Sequence, residues 1–251
     1  IVKLFAPRLL RYRSNFICDE KEEIKNYLDE CIDDLEILHT SSTNDDILKK
    51  NFLCIAKLFK VFCNDTGGND INDAYHLARE LDNEILLAYV YKYAYFFAHQ
   101  SISDETQKLQ KAYEIFKKNK MADNAIYCKN NMLVRQFDSG NIHSIKFSDM
   151  LGEAIYDVPG LTGMPHLYNN TGVAYLMTGN PDKALEMFNH GDEYSQTSDR
   201  QVQNYAMLCN KLITKSYYGY NIQYTEISWT IKKIYDGMVK NGQLPFISSR
   251  Y

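Results

Sequence analysis

One segment of this chain, residues 165–198, limits the possible folds more than any other part of the sequence. It reads PHLYNNTGVAYLMTGNPDKALEMFNHGDEYSQTS, with two apolar-periodic stretches on either side of Gly179, Asn180 and Pro181. Glycine is favoured just past the end of a helix, asparagine at the start of the next, and proline at its first position. The segment therefore predicts two helices joined by a tight turn.

Small residues in this segment predict that the two helices cross closely. Gly172 lies on the first predicted helix and Ala184 on the second, and small side chains let two helix axes approach to about 8–10 Å. Tyr168, Tyr175 and Phe188 are large enough to fill the space beside that contact. The pattern thus predicts an antiparallel helical hairpin with a packed interface.

These residue types and their spacing resemble the tetratricopeptide repeat (TPR), a 34-residue helical hairpin. The matching positions are, in order, Tyr168, Gly172, Ala174, Tyr175, Gly179, Ala184, Leu185 and Phe188. The last small position of the repeat, usually alanine in the family, is Gly191 in this chain. The resemblance implies an all-α fold of the α-α superhelix class, a TPR-like solenoid of antiparallel helical hairpins.

Weaker copies of the pattern occur upstream. The motif NNMLVRQFDSGN, which begins at Asn130, aligns with NNTGVAYLMTGN at an offset of 39 residues. The motif KAYEIF aligns with KALEMF and places Ala112 and Phe116 where the best repeat has Ala184 and Phe188. These echoes indicate an array of irregular repeats.

The whole chain, residues 1–251, is predicted to form a single TPR-like helical-repeat domain. The best repeat is 165–198, degenerate units precede it, and capping helices occupy 199–240. Apolar periodicity predicts helices at 2–13, 21–39, 45–63, 71–81, 83–99, 103–118, 121–137, 144–156, 165–178, 181–196, 199–218 and 222–240.

Composition excludes several classes of partner. The formal charge of −4 leaves no excess of lysine and arginine with which to neutralise phosphates, so neither nucleic acid nor an acidic membrane surface is expected as a partner. The most apolar run, residues 85–98, is too short to span a membrane and contains Lys92. The six cysteines form no C-x-x-C pair, which is typical of reduced residues in a cytoplasmic protein.

The sequence contains none of the common short catalytic motifs. A P-loop, an H-E-x-x-H helix, a G-x-S-x-G elbow and an EF-hand loop are all missing. We therefore predict no catalytic residues, no metal ligands and no cofactor, and a protein that is not an enzyme. A helical enzyme without short motifs remains the alternative.

The resemblance also implies a ligand-binding groove. In TPR proteins the fifth residue of each unit, here Asn169 with Asn130 and Gln203 as counterparts, lies on the first helix and faces the concave surface. An amide there can donate to and accept from a peptide backbone. Further expected ligand-binding residues, which would form an apolar floor, are Val173, Leu176 and Met177. The adjacent sixth position, Asn170 with Asn131 and Asn204 as counterparts, is commonly asparagine in the family and is expected to support the packing.

The expected partner is therefore a protein or peptide. The chain begins with Ile1 rather than methionine, which suggests a segment of a larger chain or assembly. Irregular TPR arrays of this kind resemble the C-terminal sensor regions of bacterial STAND (NLR-like) NTPases, including those that detect phage proteins in antiviral defence. The alternative is the peptide-receptor domain of a quorum-sensing type regulator.

Overall fold

The computed structural model describes residues 20–63, 68–94, 102–140, 161, 163–197 and 205–240, and over these ranges the chain forms helices and no β-strand. The ten helices of this part are α1 (Glu20–Ile37), α2 (Thr43–Cys63), α3 (Gly68–Glu80), α4 (Glu84–Ala94), α5 (Ile102–Lys118), α6 (Ala122–Asp138), α7 (Met164–Met177), α8 (Pro181–Thr197), α9 (Tyr205–Tyr217) and α10 (Tyr224–Lys240). The predicted all-α class is confirmed. The helices predicted at 2–13 and 144–156 lie outside the described residues.

Contacts divide the chain into two units, Ile1–Phe116 and Lys117–Tyr251. In the first unit α1 packs on α2, α2 on α3 and α3 on α4, and α2 also contacts α4. In the second unit α6 packs on α7, α7 on α8, α8 on α9 and α9 on α10, and α7 also contacts α9. Neighbouring helices therefore pack in chain order, and α7 lies directly beside α9.

The first unit combines an apolar core with ion pairs at its edge. Cys54 and Val61 of α2 are buried against Ala74 of α3 and Val90 of α4. The thiol of Cys54 lies 3.4 Å from the carbonyl oxygen of Ala74, and burial raises the pKa of this thiol to about 12. Such a group behaves as a small apolar core residue.

Lysines of α2 join the helices on both sides of it. The Lys57 Nζ lies 3.2 Å from Glu36 of α1 and 3.0 Å from Asp73 of α3. Burial opposes the charge of this amine, but hydrogen bonds from it to Asp73 and Glu36 raise its pKa above the ordinary value. Lys60, about one turn further along, bridges carboxylates of the same two helices. These lysines therefore hold α1 and α3 against α2.

In the second unit, glycines allow large side chains of adjacent helices to interlock. A Cβ at Gly172 would lie 2.4 Å from the Phe188 ring, which fills the space that the missing side chain leaves. A Cβ at Gly191 would lie 2.4 Å from the sulfur of Met207 and 2.9 Å from the Cβ of Tyr168. Gly191 thus lies where α7, α8 and α9 meet. The group nearest to the missing side chain of Gly172 is the Phe188 ring, and a direct contact between Gly172 and Ala184 stays a prediction.

Glycines end three helices of this unit in the same way. Gly140, Gly179 and Gly219 follow α6, α7 and α9 with φ angles of +71°, +77° and +73°. This left-handed conformation strains other L-residues, and glycine adopts it readily. At the end of α7 the Gly179 N–H donates to the Leu176 carbonyl at 3.0 Å. The three glycines give a common reference point for aligning α6, α7 and α9.

The predicted repeat-packing residues are mostly inside the fold. The fully buried members are Ala112 and Phe116 in the first unit and Ala174, Ala184 and Phe188 in the second. In the second unit Gly172 is also buried, and the half-buried members are Tyr168, Tyr175 and Leu185. The exposed member is Gly179, at the end of α7. Their burial accounts for the packing of neighbouring helices. The superhelical TPR arrangement stays a prediction.

Candidate functional site

The predicted ligand-binding residues lie mainly on α7. Asn169 is buried there, Val173 and Leu176 are half-buried, and Met177 is 55% exposed. Asn130 is half-buried on α6. Gln203 lies outside the described residues. The structure therefore brings most of the predicted set to one helix and its neighbour.

Four asparagine side chains form a continuous hydrogen-bonded series, called here the amide chain, which crosses three helices. The Asn170 Nδ2 of α7 donates to the Asn130 Oδ1 of α6 at 2.8 Å. Within α7, the Asn169 Nδ2 donates to the Asn170 Oδ1 at 3.0 Å. The Asn210 Nδ2 of α9 then donates to the Asn169 Oδ1 at 3.0 Å. The amide chain thus links α6, α7 and α9.

The amide chain retains unused hydrogen-bonding capacity. Each asparagine has two N–H hydrogens to donate and an oxygen that accepts two hydrogen bonds. Among the described residues, the bonds above use only part of this capacity. Asn130, Asn170 and Asn210 are partly exposed, whereas Asn169 is buried. The partly exposed amides can therefore hydrogen-bond a ligand while they hold the helices together. Buried Asn169 mainly holds the helices together.

Asn210 was not predicted from the sequence. Aligning the helices on their capping glycines shows that Asn210 lies nine residues before Gly219, as Asn170 lies nine residues before Gly179. The predicted downstream residue, Gln203, lies 34 residues after Asn169, which is the period of the family's repeat. The glycine spacing of 39 and 40 residues between α6, α7 and α9 is the signal that identifies Asn210.

The same alignment pairs apolar residues beside the amides. Ile213 of α9 corresponds to Val173 of α7, and Tyr217 of α9 corresponds to Met177. Ile213 is 62% exposed and Tyr217 is 82% exposed. Residues spaced by three and four positions share one side of a helix. The two helices therefore carry corresponding rows of side chains, and the Asn210–Asn169 hydrogen bond joins the helices. We call the two rows together the α7–α9 face; its members are Asn170, Val173, Met177, Asn210, Ile213 and Tyr217.

The α7–α9 face contains no charged residue among its six members. Lys129, which could have bound a carboxylate, is buried in α6. The charged residues of this unit form an ion-pair network outside the six members of the face. In that network, buried Asp192 of α8 lies 3.0 Å from Lys233 of α10 and 3.9 Å from Lys211 of α9. The chemistry of the face is therefore that of amides and apolar side chains.

The described part of the chain offers no candidate metal site. No cluster of three or more histidine, cysteine or carboxylate side chains there could hold a metal ion. In the same ranges no helix is long and apolar enough to cross a membrane. Searches with the whole chain found no matching protein-family model, no matching curated protein and no matching solved structure.

Proposed function

We propose that the α7–α9 face binds an extended polypeptide segment, and that the protein is a TPR-like protein-interaction module. The observation that carries this proposal is the position of Met177, Ile213 and Tyr217, which are exposed beside partly exposed amides of the amide chain. Exposed apolar side chains grouped on one surface typically mark an interaction site.

The chemistry of this face suits a peptide backbone. Asn170 and Asn210 can each donate to a carbonyl and accept from an N–H, which every residue of a peptide offers except for the N–H of proline. Backbone hydrogen bonds supply affinity that depends little on sequence, while side-chain pockets add selectivity. The apolar residues would contact alternate side chains of an extended ligand.

The helix spacing sets the length of the segment. Packed helices lie about 8–10 Å apart, and an extended peptide advances by about 3.3 Å per residue. Each step from one helix to the next therefore corresponds to about three ligand residues. A ligand that follows the amide chain from α6 through α7 to α9 would use roughly six residues.

The sequence resemblance supports a sensor or scaffold role within a larger signalling or antiphage-defence protein in the cytoplasm. The alternative is a peptide-receptor domain of a quorum-sensing type regulator, which the amide chain also favours. Ligand size separates the two. A free short peptide that produces a large thermal shift supports the receptor, whereas a folded protein that buries more than about 1,200 Å² supports the sensor.

Selection from a random peptide display library, followed by titration of a selected peptide, tests the proposal. We expect Tyr217→Ala and Asn210→Ala to weaken binding by at least about tenfold, equivalent to ~1.4 kcal/mol. The matched control is Trp229→Ala, which removes an aromatic side chain that is 51% exposed on α10, a helix that contributes no residue to the face. Failure to enrich any peptide, or equal binding by all three variants, would reject the α7–α9 face as the site.

A second measurement tests backbone recognition directly. Methylation of single backbone nitrogens in the selected peptide removes one N–H donor at a time without changing any side chain. We expect at least one interior position to lose binding in the unmodified protein and to show a much smaller loss in the Asn210→Ala variant. Equal losses in both proteins would show that Asn210 does not contact the backbone.

A further inference from the structure

The turns that follow α7 and α9 are built in the same way, and each begins directly after a member of the α7–α9 face. Met177 is the last residue of α7, and Tyr217 is the last residue of α9. After α9 the Tyr220 N–H donates to the Lys215 carbonyl at 2.9 Å, and after α7 the Asn180 N–H makes the corresponding bond at 2.8 Å. Each bond closes around a glycine with positive φ, which is typical of a Schellman turn. Both helix ends are therefore held in a defined backbone conformation.

One side-chain hydrogen bond joins these two turns, and we call it the corner clasp. The Tyr220 hydroxyl donates to Asp182 Oδ1 at 2.5 Å. Tyr220 directly follows Gly219, and Asp182 lies three residues after Gly179, in the first turn of α8. This bond raises the pKa of the Tyr220 phenol above its ordinary value, because the carboxylate accepts from the protonated form. The corner clasp thus ties the end of α9 to the α7–α8 turn.

The corner clasp lies well away from the hydrogen bond by which the amide chain joins α7 and α9. That bond comes from Asn210, seven residues before Tyr217. Seven residues of helix span about 10 Å, so a tilt of α9 by about 10° around Asn210 would move Tyr217 by roughly 2 Å. A second attachment close to Tyr217 opposes such a tilt. The two rows of the face are therefore joined both near their middle and at their ends.

The position of Tyr217 depends on the backbone at the end of α9. Its side chain is 82% exposed, so packing around the ring does little to fix it. The connection to α10 has an attachment of its own, because Lys215 Nζ lies 2.5 Å from Glu226 in the first turn of α10. Breaking the corner clasp therefore leaves that ion pair in place and releases the end of α9 from α8.

We propose that Tyr220 and Asp182 are positioning residues for ligand binding at the α7–α9 face, an inference that rests on the proposed function. Neither residue is a member of the face. The corner clasp holds Tyr217 in alignment with Met177 before a ligand arrives, so the ligand does not have to order the end of α9 when it binds. Loss of the clasp should lower affinity and leave global stability nearly unchanged, because the bond lies at the surface.

Titration of the selected peptide into single variants tests the proposal. We expect Tyr220→Phe to weaken binding by about three- to tenfold, the range for loss of one hydrogen bond. Asp182→Asn keeps an oxygen that accepts the bond, so its affinity should stay within about threefold of the unmodified protein. The matched control, Tyr218→Phe, removes a phenol hydroxyl two residues earlier and keeps the ring contact with Tyr217. Unchanged binding by Tyr220→Phe, or an equal loss in Tyr218→Phe, overturns the proposal.

A double-mutant cycle with Tyr217 separates positioning from a general structural effect. In the Tyr217→Ala background the side chain that the corner clasp aligns is missing. Tyr220→Phe should then change the affinity by less than about twofold. A residue that acted only on the stability of the fold would weaken binding by the same factor in both backgrounds, and that result would refute the positioning role.

Amide hydrogen exchange of the full chain without ligand gives a readout that does not depend on the proposed function. Tyr220→Phe should speed exchange of the Gly219 and Tyr220 N–H groups by at least about threefold, while the N–H groups of α6 keep their rates. Unchanged exchange at the end of α9 overturns the inference. Faster exchange with unchanged peptide affinity also overturns it but leaves the α7–α9 face as a binding site. Failure to select any peptide rejects the proposed function, and this inference with it.

Discussion

Replacing Gly172 with alanine tests the contact that brings α7 and α8 together. Gly172 lies in the interior of α7, where alanine is normally more favourable than glycine by about 1 kcal/mol. Here, however, the new Cβ would lie 2.4 Å from Cε1 of Phe188 and 2.8 Å from both Cδ1 and Cζ. The phenyl ring is fully buried, so it cannot move aside without displacing its own neighbours.

The size of the effect follows from this overlap. Carbon atoms in contact normally lie about 3.5–4.0 Å apart, so the closest contact is too short by more than about 1 Å. Overpacking in a core costs roughly 1–3 kcal/mol, and an overlap with a rigid ring belongs at the upper end. After the ~1 kcal/mol gain in helix propensity, we expect Gly172→Ala to lower the free energy of unfolding by about 2 kcal/mol.

A double-mutant cycle measured by urea denaturation provides the assay. Phe188→Leu removes the part of the ring that the new methyl group would meet, so Gly172→Ala should be neutral, or stabilising by up to ~1 kcal/mol, in that background. The expected coupling energy is then about 2–3 kcal/mol. Equal m-values across the cycle show that the same transition is compared. If Gly172→Ala stabilises the unmodified protein, or costs the same in both backgrounds, the assigned contact is wrong.

Three further predictions test other contacts. Asn169→Ala should lower the free energy of unfolding by about 1–2 kcal/mol because it breaks two side-chain hydrogen bonds. The control, Tyr217→Ala, should change this free energy by less than about 0.5 kcal/mol. Equal effects of the two substitutions would contradict the assignment of Asn169 to packing. Lys57→Ala should cost about 1–2 kcal/mol at pH 7. Because the pKa of Lys57 is raised on folding, this difference should persist below about pH 10.4 and shrink at higher pH; a difference that grows with pH would refute the ion-pair role. At pH 8 iodoacetamide should modify exposed Cys209 and spare Cys54, because the pKa of about 12 leaves only ~10⁻⁴ of the Cys54 side chain as thiolate. Mass spectrometry measures the two rates, and modification of Cys54 as fast as Cys209 would contradict the burial of Cys54.

The helices could be predicted from the sequence because their signals act over a few residues. The turn at Gly179, Asn180 and Pro181 was predicted from residue type alone, and α7 ends at Met177 while α8 begins at Pro181. Capping and the fixed φ of proline depend little on distant parts of the chain. Apolar spacing likewise identifies the buried side of α1, where Ile24, Leu28, Ile32 and Leu35 are buried.

The candidate site was predicted only in part because it depends on the period of the repeat. Val173 and Met177 were placed on the binding face from the resemblance, whereas Asn210, Ile213 and Tyr217 were not identified. Longer connections between hairpins cost little free energy, so the period can drift from 34 to about 40 residues without loss of packing. Alignment on the capping glycines, instead of on a fixed period, recovers all three residues.

The amide chain also explains why sequence alone could not separate packing from recognition. Whether Asn169 bonds a ligand or a neighbouring helix depends on the axial shift between α7 and α9, which no local pattern specifies. In the structure Asn169 is buried and bonded on both sides, while Asn170 and Asn210 remain partly exposed. A ligand that binds the exposed amides would polarise the same hydrogen-bonded series that joins the helices. Binding at the α7–α9 face should therefore also stabilise the packing of α6, α7 and α9, because a ligand held only by the folded arrangement shifts the equilibrium toward it.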